Sequence, residues 1–307
     1  MSKLSTAITL FKDNKLTFIS ALIGKISFLF PDKLYLQLQF RLRMGYRLNL
    51  KTPKSFSEKI QWLKLYNRNP LYTTLVDKYA VKKWVADKIG EDHVIPTLGV
   101  WENADDIDFD KLPNQFVLKT TNGGGGDVII CRDKSNFDKK KAINHLNNGL
   151  KRSLYKELRE WQYKHIPPRI IAEKYMEDES GELRDYKFFC FDGIVKALFI
   201  ASDRLKVNED TKFDFFDRNF NHLPITNGHP NAKIQPQKPK MYEKMISLAE
   251  KLSSGIPHVR VDLYEIDDKI YFGEMTFSHH SGMCPFCPIE WDYKFGEWLQ
   301  LPSKRIQ

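Results

Sequence analysis

The chain has 307 residues, 42% of them apolar and 28% charged, a composition that can bury sizeable cores and excludes a disordered or low-complexity protein. At roughly 100 to 200 residues per domain its length suits about two domains. The formal net charge of +9 hides an asymmetry: residues 1–90 hold 17 Lys and Arg against five Asp and Glu, a balance of +12, while the remainder sums to −3.

A basic first third on a near-neutral body points to an anionic surface as partner, a lipid layer or a polyanion. Scattered basic residues without interleaved stacking motifs argue against nucleic acid. Four cysteines are too few for a disulfide framework. Residues 16–30 are apolar but broken by Lys25, and they fall short of the roughly 20 residues that span a bilayer. No secretory signal with a small-residue cleavage site is evident. The expectation is a cytosolic protein, able to lie on the inner face of a membrane without crossing it.

Residues 1–75 read as a basic helical region. Leu34, Leu36, Leu38, Phe40 and Leu42 alternate like a strand, yet no turn bounds them, and Arg41, Arg43 and Arg47 follow; the stretch is taken as basic and amphipathic. Ser57-Glu58-Lys59-Ile60 resembles a capped helix start. A second helix is expected over residues 77–89, ended by Gly90.

From Val94 onward the pattern alternates strand and helix. Residues 116–119 and 128–131 form a hairpin around Thr120-Thr121-Asn122-Gly123-Gly124-Gly125-Gly126. Helices are expected over 136–161, a strand over 170–175, and a hairpin over 186–201 turning at Asp192-Gly193. A Pro-rich loop spans 224–239, then come a helix over 240–252 and a last hairpin from Val259 to Glu274. The expected division is 1–75, 76–175 and 176–307.

Two constellations carry chemistry. Four consecutive glycines let backbone approach a ligand closely and present several N–H groups to a phosphate. Lys119, at the end of the preceding strand, adds a point charge. The order is strand, loop, strand, which excludes the Walker phosphate loop and the dinucleotide fingerprint, both of which end in a helix. Read alone, a glycine run also suits a solvent loop. The second constellation is Arg260-Val261-Asp262-Leu263-Tyr264 followed by Gly273-Glu274-Met275-Thr276. Alternate residues of a strand share a face, so Arg260, Asp262 and Tyr264 point together, and hairpin pairing brings Asp262 to Glu274. Adjacent carboxylates repel unless a cation lies between them, and Mg²⁺ takes one or two carboxylates with phosphate oxygens.

Lys119 with its glycine loop, Glu173-Lys174-Tyr175-Met176, Arg260-Val261-Asp262, Glu274 and Ser281-Gly282 follow the order of ATP-grasp enzymes. With Phe40-Arg41-Leu42-Arg43-Met44-Gly45-Tyr46, Lys59-Ile60-Gln61-Trp62-Leu63-Lys64-Leu65-Tyr66 and Gly273-Glu274-Met275-Thr276-Phe277, the chain resembles the TupA-like, teichuronopeptide-biosynthesis type of ATP-grasp protein over residues 38 to 300. That resemblance implies an α+β ATP-grasp fold, two αβ subdomains clamping ATP behind an N-terminal helical region.

It further implies that Lys119 contacts the phosphates beneath a lid of Gly123, Gly124, Gly125 and Gly126. Glu173, Lys174, Tyr175 and Met176 would hold adenine, with Asp185 near the ribose. Asp262, Glu274 and Thr276 would hold Mg²⁺; Thr276 stands where the family often has Asn, and a hydroxyl is the weaker ligand. Arg260 and Lys187 would be the catalytic cations, and Ser281 and Gly282 would touch the acceptor. The implied activity is a Mg²⁺-ATP-dependent carboxylate–amine ligase that forms ADP through an acyl phosphate. Its substrate would be a small-molecule or lipid-linked sugar of cell-surface polysaccharide synthesis, joined to an amino acid. A sugar kinase on the same fold, a glycosyltransferase and a non-catalytic membrane-associated factor are the alternatives. A rival reading takes His279, His280, Cys284 and Cys287, two His and a Cys-x-x-Cys within nine residues, as a zinc site, though the usual second ligand pair is missing.

Overall fold

The computed structural model describes residues 15–124, 128–178, 183–203 and 210–304. In it the basic N-terminal stretch is helical. α1 (Lys15–Lys25) packs on α2 (Asp32–Met44) through Ser20, which donates its hydroxyl to Gln39 and accepts from the Gln39 amide at its carbonyl. In α2 the helical period overrules the strand-like alternation of leucines: Leu36 and Phe40, four apart, are buried, while Leu34 is exposed. Gly45, with φ of 80°, closes the helix in the left-handed region that glycine tolerates.

α3 (Phe56–Tyr66) starts with a complete capping box, in which Ser55 accepts from the Glu58 N–H and Glu58 accepts from the Ser55 N–H. The cap is therefore Ser55, two residues before the expected start. The helix expected over 77–89 is in fact preceded by a separate short one. α4 (Leu71–Val76) ends at Asp77, whose carboxylate accepts from the N–H groups of Tyr79 and Ala80 and so opens α5 (Ala80–Ile89).

Four strands form the first antiparallel sheet, in the order β1-β4-β2-β3: β1 (Thr97–Trp101), β2 (Phe116–Thr120), β3 (Val128–Cys131) and β4 (Ile170–Lys174). Phe116, Leu118, Ile170 and Ala172 lie on one face, buried with Leu146 of α6 (Lys139–Leu150); α7 (Leu154–Leu158) follows. The opposite face carries Lys119 and Glu173, because strand side chains alternate.

The second sheet has six strands in the order β10-β9-β5-β6-β7-β8: β5 (Asp185–Phe191), β6 (Ile194–Ser202), β7 (Lys212–Asp217), β8 (His222–Leu223), β9 (His258–Ile266) and β10 (Lys269–Thr276). The turns after β5 and β9 place Asp192-Gly193 and Asp267-Asp268 at positive φ, as tight hairpins require. β7 and β8 had no counterpart in the sequence reading. One face packs Phe188, Cys190, Val259, Val261 and Leu263 under α8 (Tyr242–Ser253). The other packs Phe189 and Phe191 against Phe56 of α3 and Phe295 of α9 (Glu290–Trp298). Among the described residues no helix is long and apolar enough to cross a membrane.

Candidate active site

The face of the six-stranded sheet that holds Phe189 and Phe191 continues, two residues along β5, into Lys187 and Asp185. Across the register Lys187 stands opposite Asp262, and Asp262 opposite Glu274. A bulge makes this row possible. Phe272 and Met275 both belong to the core on the opposite face, so unbroken alternation would send Glu274 into that core; one extra residue, Gly273, turns it to the Asp262 side. Glycine suits the position, since a Cβ would crowd the Tyr264 ring at 2.9 Å and the Asp262 carbonyl at 3.1 Å.

Asp262 is fully buried and accepts a forked pair from Arg260, Nε to Oδ1 at 2.7 Å and Nη2 to Oδ2 at 2.8 Å. The Lys187 ammonium donates to Oδ2 as well and lies 3.3 Å from Asp185. Arg260 also donates to Thr276 Oγ1 at 3.0 Å, to Glu274 Oε1 at 3.4 Å and to His279 Nδ1 at 2.7 Å. His279 in turn donates from Nε2 to Asn227 Oδ1 at 2.9 Å. One arginine thus ties four side chains together, those of Asp262, Glu274, Thr276 and His279.

The electrostatics follow from burial and from these neighbours. Burial pushes the Glu274 carboxyl up, but Lys187, Lys78, Arg260 and Lys119 outweigh it and hold the group at about 2. Burial likewise draws Lys187 down against the pull of Asp262. Asp262 overcomes burial at Arg260 and raises it. His279 is pushed well below the usual histidine value and His280 to about 4, in both cases chiefly by burial, so both rings are neutral at pH 7. The repulsion expected between Asp262 and Glu274 is absent, because Arg260 and Lys187 lie among them.

Lys119 extends from the outward face of β2 to Glu173 at 2.5 Å, and the second oxygen of Glu173 meets Lys82 at 2.6 Å. These two ammonium groups outweigh burial and lower the Glu173 carboxyl. Lys78 donates to the Gly123 carbonyl at the root of the glycine loop. Sequence reasoning missed Lys78 and Lys82; their signal was a spacing of four beside the helix-opening Asp77. The loop root is fixed by the Thr121 N–H on the Arg169 carbonyl at 2.8 Å and by Asn122 on the Arg152 carbonyl at 3.0 Å. Gly123 and Gly124 follow that root; Gly125 and Gly126 lie outside the described residues.

The remaining expected positions divide. Lys174 is exposed, and the Tyr175 hydroxyl sits between Arg132 and Glu177. Lys174 and Met176 line a cleft of about 1190 Å³ with Lys82, Tyr79 and Tyr271, beside the charged row rather than over it. Asp185, expected near a ribose, is 1% exposed and lies against Lys187. Thr276, expected on a metal, accepts from Arg260.

Ser281 and Gly282 sit in a run of three left-handed residues, His280, Ser281 and Gly282, with φ of 45°, 58° and 61°. Such a run is strained for L residues and persists only where its surroundings fix it. α3 supplies the restraint. Gln61 Nε2 donates to the carbonyls of Ser281 and Gly282 at 2.9 and 3.0 Å, and Lys64 donates to the Ser281 carbonyl and hydroxyl at 2.7 and 2.6 Å. Burial draws Lys64 down and pushes its counter-charge Glu160 up. The stretch around Gln61 and Lys64, distinctive but roleless in the sequence, thus grips the expected acceptor loop.

The zinc reading fails on this geometry. His279 is committed to Arg260 and Asn227, Cys287 is exposed, and among the described residues no three His, Cys, Asp or Glu side chains are grouped to hold a metal. A Mg²⁺ ion carried by a nucleotide needs less, one or two carboxylates beside phosphate oxygens. Asp262 Oδ1 accepts a single hydrogen bond and the Glu274 side chain is 39% exposed, so oxygen lone pairs remain for such an ion. Lys78, Lys119, Lys187 and Arg260 bear on the same space with positive charge.

A charged row on an antiparallel sheet, faced by a lysine and a glycine loop from a second sheet, is the arrangement of an ATP-grasp protein. The chain belongs to the TupA-like ATP-grasp family, whose sequence profile matches residues 58–300. Among solved structures it is similar to the D-alanine–D-alanine ligase of Bacillus anthracis complexed with ATP, at 16% identity over 66% of this chain and 54% of that one, with a TM-score of 0.39. The Helicobacter pylori D-alanine–D-alanine ligase matches at 13% identity over 82% and 68%, with a TM-score of 0.46. The L-amino acid ligase of Bacillus licheniformis matches at 15% over 74% and 49%, with a TM-score of 0.44. This chain therefore spans about half the length of two of these structures. No curated protein sequence matches it.

Proposed function

We propose that the protein is a Mg²⁺-ATP-dependent carboxylate–amine ligase that joins an amino acid to a uronic acid or a similar unit of a cell-surface polysaccharide or its precursor. The observation that carries the reading is Arg260, locked by its fork on Asp262 beside Glu274 and Lys187. A carboxylate oxygen would attack the γ-phosphorus of ATP, with ADP leaving; the amine would then attack the acyl carbon, with phosphate leaving. Transfer of this kind asks for positioned charge more than for covalent help from the protein. In this reading Lys119, Lys82 and Lys78 would hold phosphates, and Lys187 would follow the transferred group. Arg260 can donate to the oxyanion that forms at the acyl carbon; removing one preorganised donor of this kind costs about 2.7 to 4 kcal/mol. Bound at Asp262 and Glu274, Mg²⁺ would supply charge neutralisation at the phosphoryl oxygens. The amino acid–uronic acid pairing rests on the likeness to the teichuronopeptide-biosynthesis type.

A sugar kinase would need a base at the acceptor hydroxyl. The histidines nearest the acceptor loop are His279 and His280, and His279 has both ring nitrogens engaged, by Arg260 and by Asn227, which removes it as a base and favours the ligase. Hydroxylamine added with ATP, Mg²⁺ and a panel of amino acids and uronic acids should trap a hydroxamate while ADP, not AMP, accumulates. Arg260→Ala should lose hydroxamate formation roughly a hundredfold or more while still binding ATP. A stable phosphosugar without hydroxamate would move the assignment to a kinase.

A further inference from the structure

The least explained surface is the outer side of α1 and the turn that follows it. In α1 the side chains of Leu16, Ile19, Leu22 and, one turn on, Ile26 recur every three or four residues, the spacing of a single helical stripe. A stripe of this kind normally faces a core; here Leu16 is 52% exposed, Ile19 39%, Leu22 51% and Ile26 37%. The side of α1 that packs on α2 carries Ser20, which is buried. Phe28, 79% exposed, and Leu29, 63% exposed, extend the stripe into the next turn. Single exposed leucines are ordinary, but a contiguous run of large apolar side chains marks a contact surface.

The charges around the stripe say what it contacts. Lys25, Lys33, Arg41, Arg43 and Arg47 are exposed on or beside these helices. Between residues 15 and 57 the sequence holds one acid, Asp32, and it is neutralised at 3.0 Å each by Arg68 and Arg159. Nothing in this surface offers a free anion to a basic protein partner or to a second copy of the same basic surface, whose approach would set like charges together. An anionic bilayer satisfies both halves: its acyl boundary takes the apolar stripe and its headgroups take the lysines and arginines.

We propose that α1 and the turn after it form a reversible docking surface for anionic membranes, with Leu16, Ile19, Leu22, Ile26, Phe28 and Leu29 lying in the interface plane. The helix lies along the surface, since among the described residues no helix is long and apolar enough to cross. This surface is independent of the chemistry at the candidate active site.

Full-length protein is to be sedimented with vesicles of phosphatidylcholine, alone or mixed with phosphatidylglycerol, over a range of salt. The expected result is binding to the mixed vesicles only, weakening as salt shortens the screening length. Lys25→Gln and Lys33→Gln should each lower the partition coefficient about fivefold. The pair Leu22→Glu and Phe28→Glu should abolish binding without moving the melting temperature, since both side chains are exposed. Absence of binding to the mixed vesicles at low salt overturns the proposal. So does equal binding to pure phosphatidylcholine, or a concentration-dependent dimer, seen without lipid, that the same two Glu substitutions dissolve.

Discussion

The face of β5 and β9 that leads into the candidate site has two ends made by the same rule and used in opposite ways. At one end Phe189 and Phe191 alternate outward and are sealed by Phe56 and Phe295 from α3 and α9. One step along the same strands, in the same register, Lys187, Asp262 and Arg260 face the same way and are buried as well, but they are matched by ion pairs with one another rather than sealed by Phe56 and Phe295. The apolar end gains from excluding water. The charged end depends on each ion being matched, because an unpaired buried charge costs far more than the pair contributes. The contrast teaches that β-alternation only selects a face; what covers the face decides between core and site.

The largest expected effect breaks the charged end. Asp262→Asn should abolish ATP turnover and, without nucleotide, lower stability by about 3 to 5 kcal/mol, because it strands Arg260 and Lys187 in a buried place. Had Asp262 and Glu274 merely repelled one another, the substitution would leave stability unchanged or raise it, so urea unfolding decides. Phe189→Ala should cost a similar 3 to 5 kcal/mol through its cavity. Its ATP KM should hardly move, and a large KM change would show that the two ends are not separable.

Gly282→Ala tests the grip of α3 on the acceptor loop. A Cβ there would stand 2.6 Å from Gln61 Nε2 and 2.8 Å from Ile60, at a φ of 61°. A loss of about 1 to 3 kcal/mol with a raised acceptor KM and an unchanged ATP KM is expected; equal rises in both would deny the loop a separate acceptor role. Lys119→Ala should raise the ATP KM or lower kcat about tenfold, roughly 1.4 kcal/mol. Unaltered ATP kinetics would reduce the glycine hairpin to a surface loop.

The smallest effect is the pH dependence of Glu274. Its carboxyl is held at about 2, below its ordinary 4.5. A depressed carboxyl contributes stability that is fully present above the ordinary value and is lost as pH falls through the folded one. Stability should therefore decline between pH 4.5 and 2, and Glu274→Gln should flatten part of that decline. The part is modest, since the side chain is 39% exposed and solvent screens it. An unchanged slope would mean that the four cations do not act on Glu274.

Much of this was legible in the chain. Hairpins announced by Asp192-Gly193 and by the glycine loop formed where alternation placed them, and the family followed from motifs spread over most of the sequence. The strand-like alternation of leucines around Phe40 did not displace the helical reading, because five alternating apolar residues also suit a helix that buries every third or fourth. β7 escaped notice because Phe213, Phe215 and Phe216 do not alternate cleanly. Lys78 and Lys82 were hidden as ordinary helix charges; only the return of β4 brings Glu173 between Lys82 and Lys119.

Local sequence determined what depends on neighbours along the chain. Alternation set Arg260 and Asp262 on one face of a strand, Ser55 and Glu58 cap a helix from three residues apart, and glycines mark turns. Tertiary structure decided everything that needed distant partners. It supplied the bulge at Gly273 that turns Glu274 out of the core, and the cations that quiet two adjacent carboxylates. It also supplied the grip of Gln61 and Lys64 on a strained loop some 220 residues away. A dihedral preference acts over a few residues, whereas a charge or a packing surface acts through space on whatever the fold brings near.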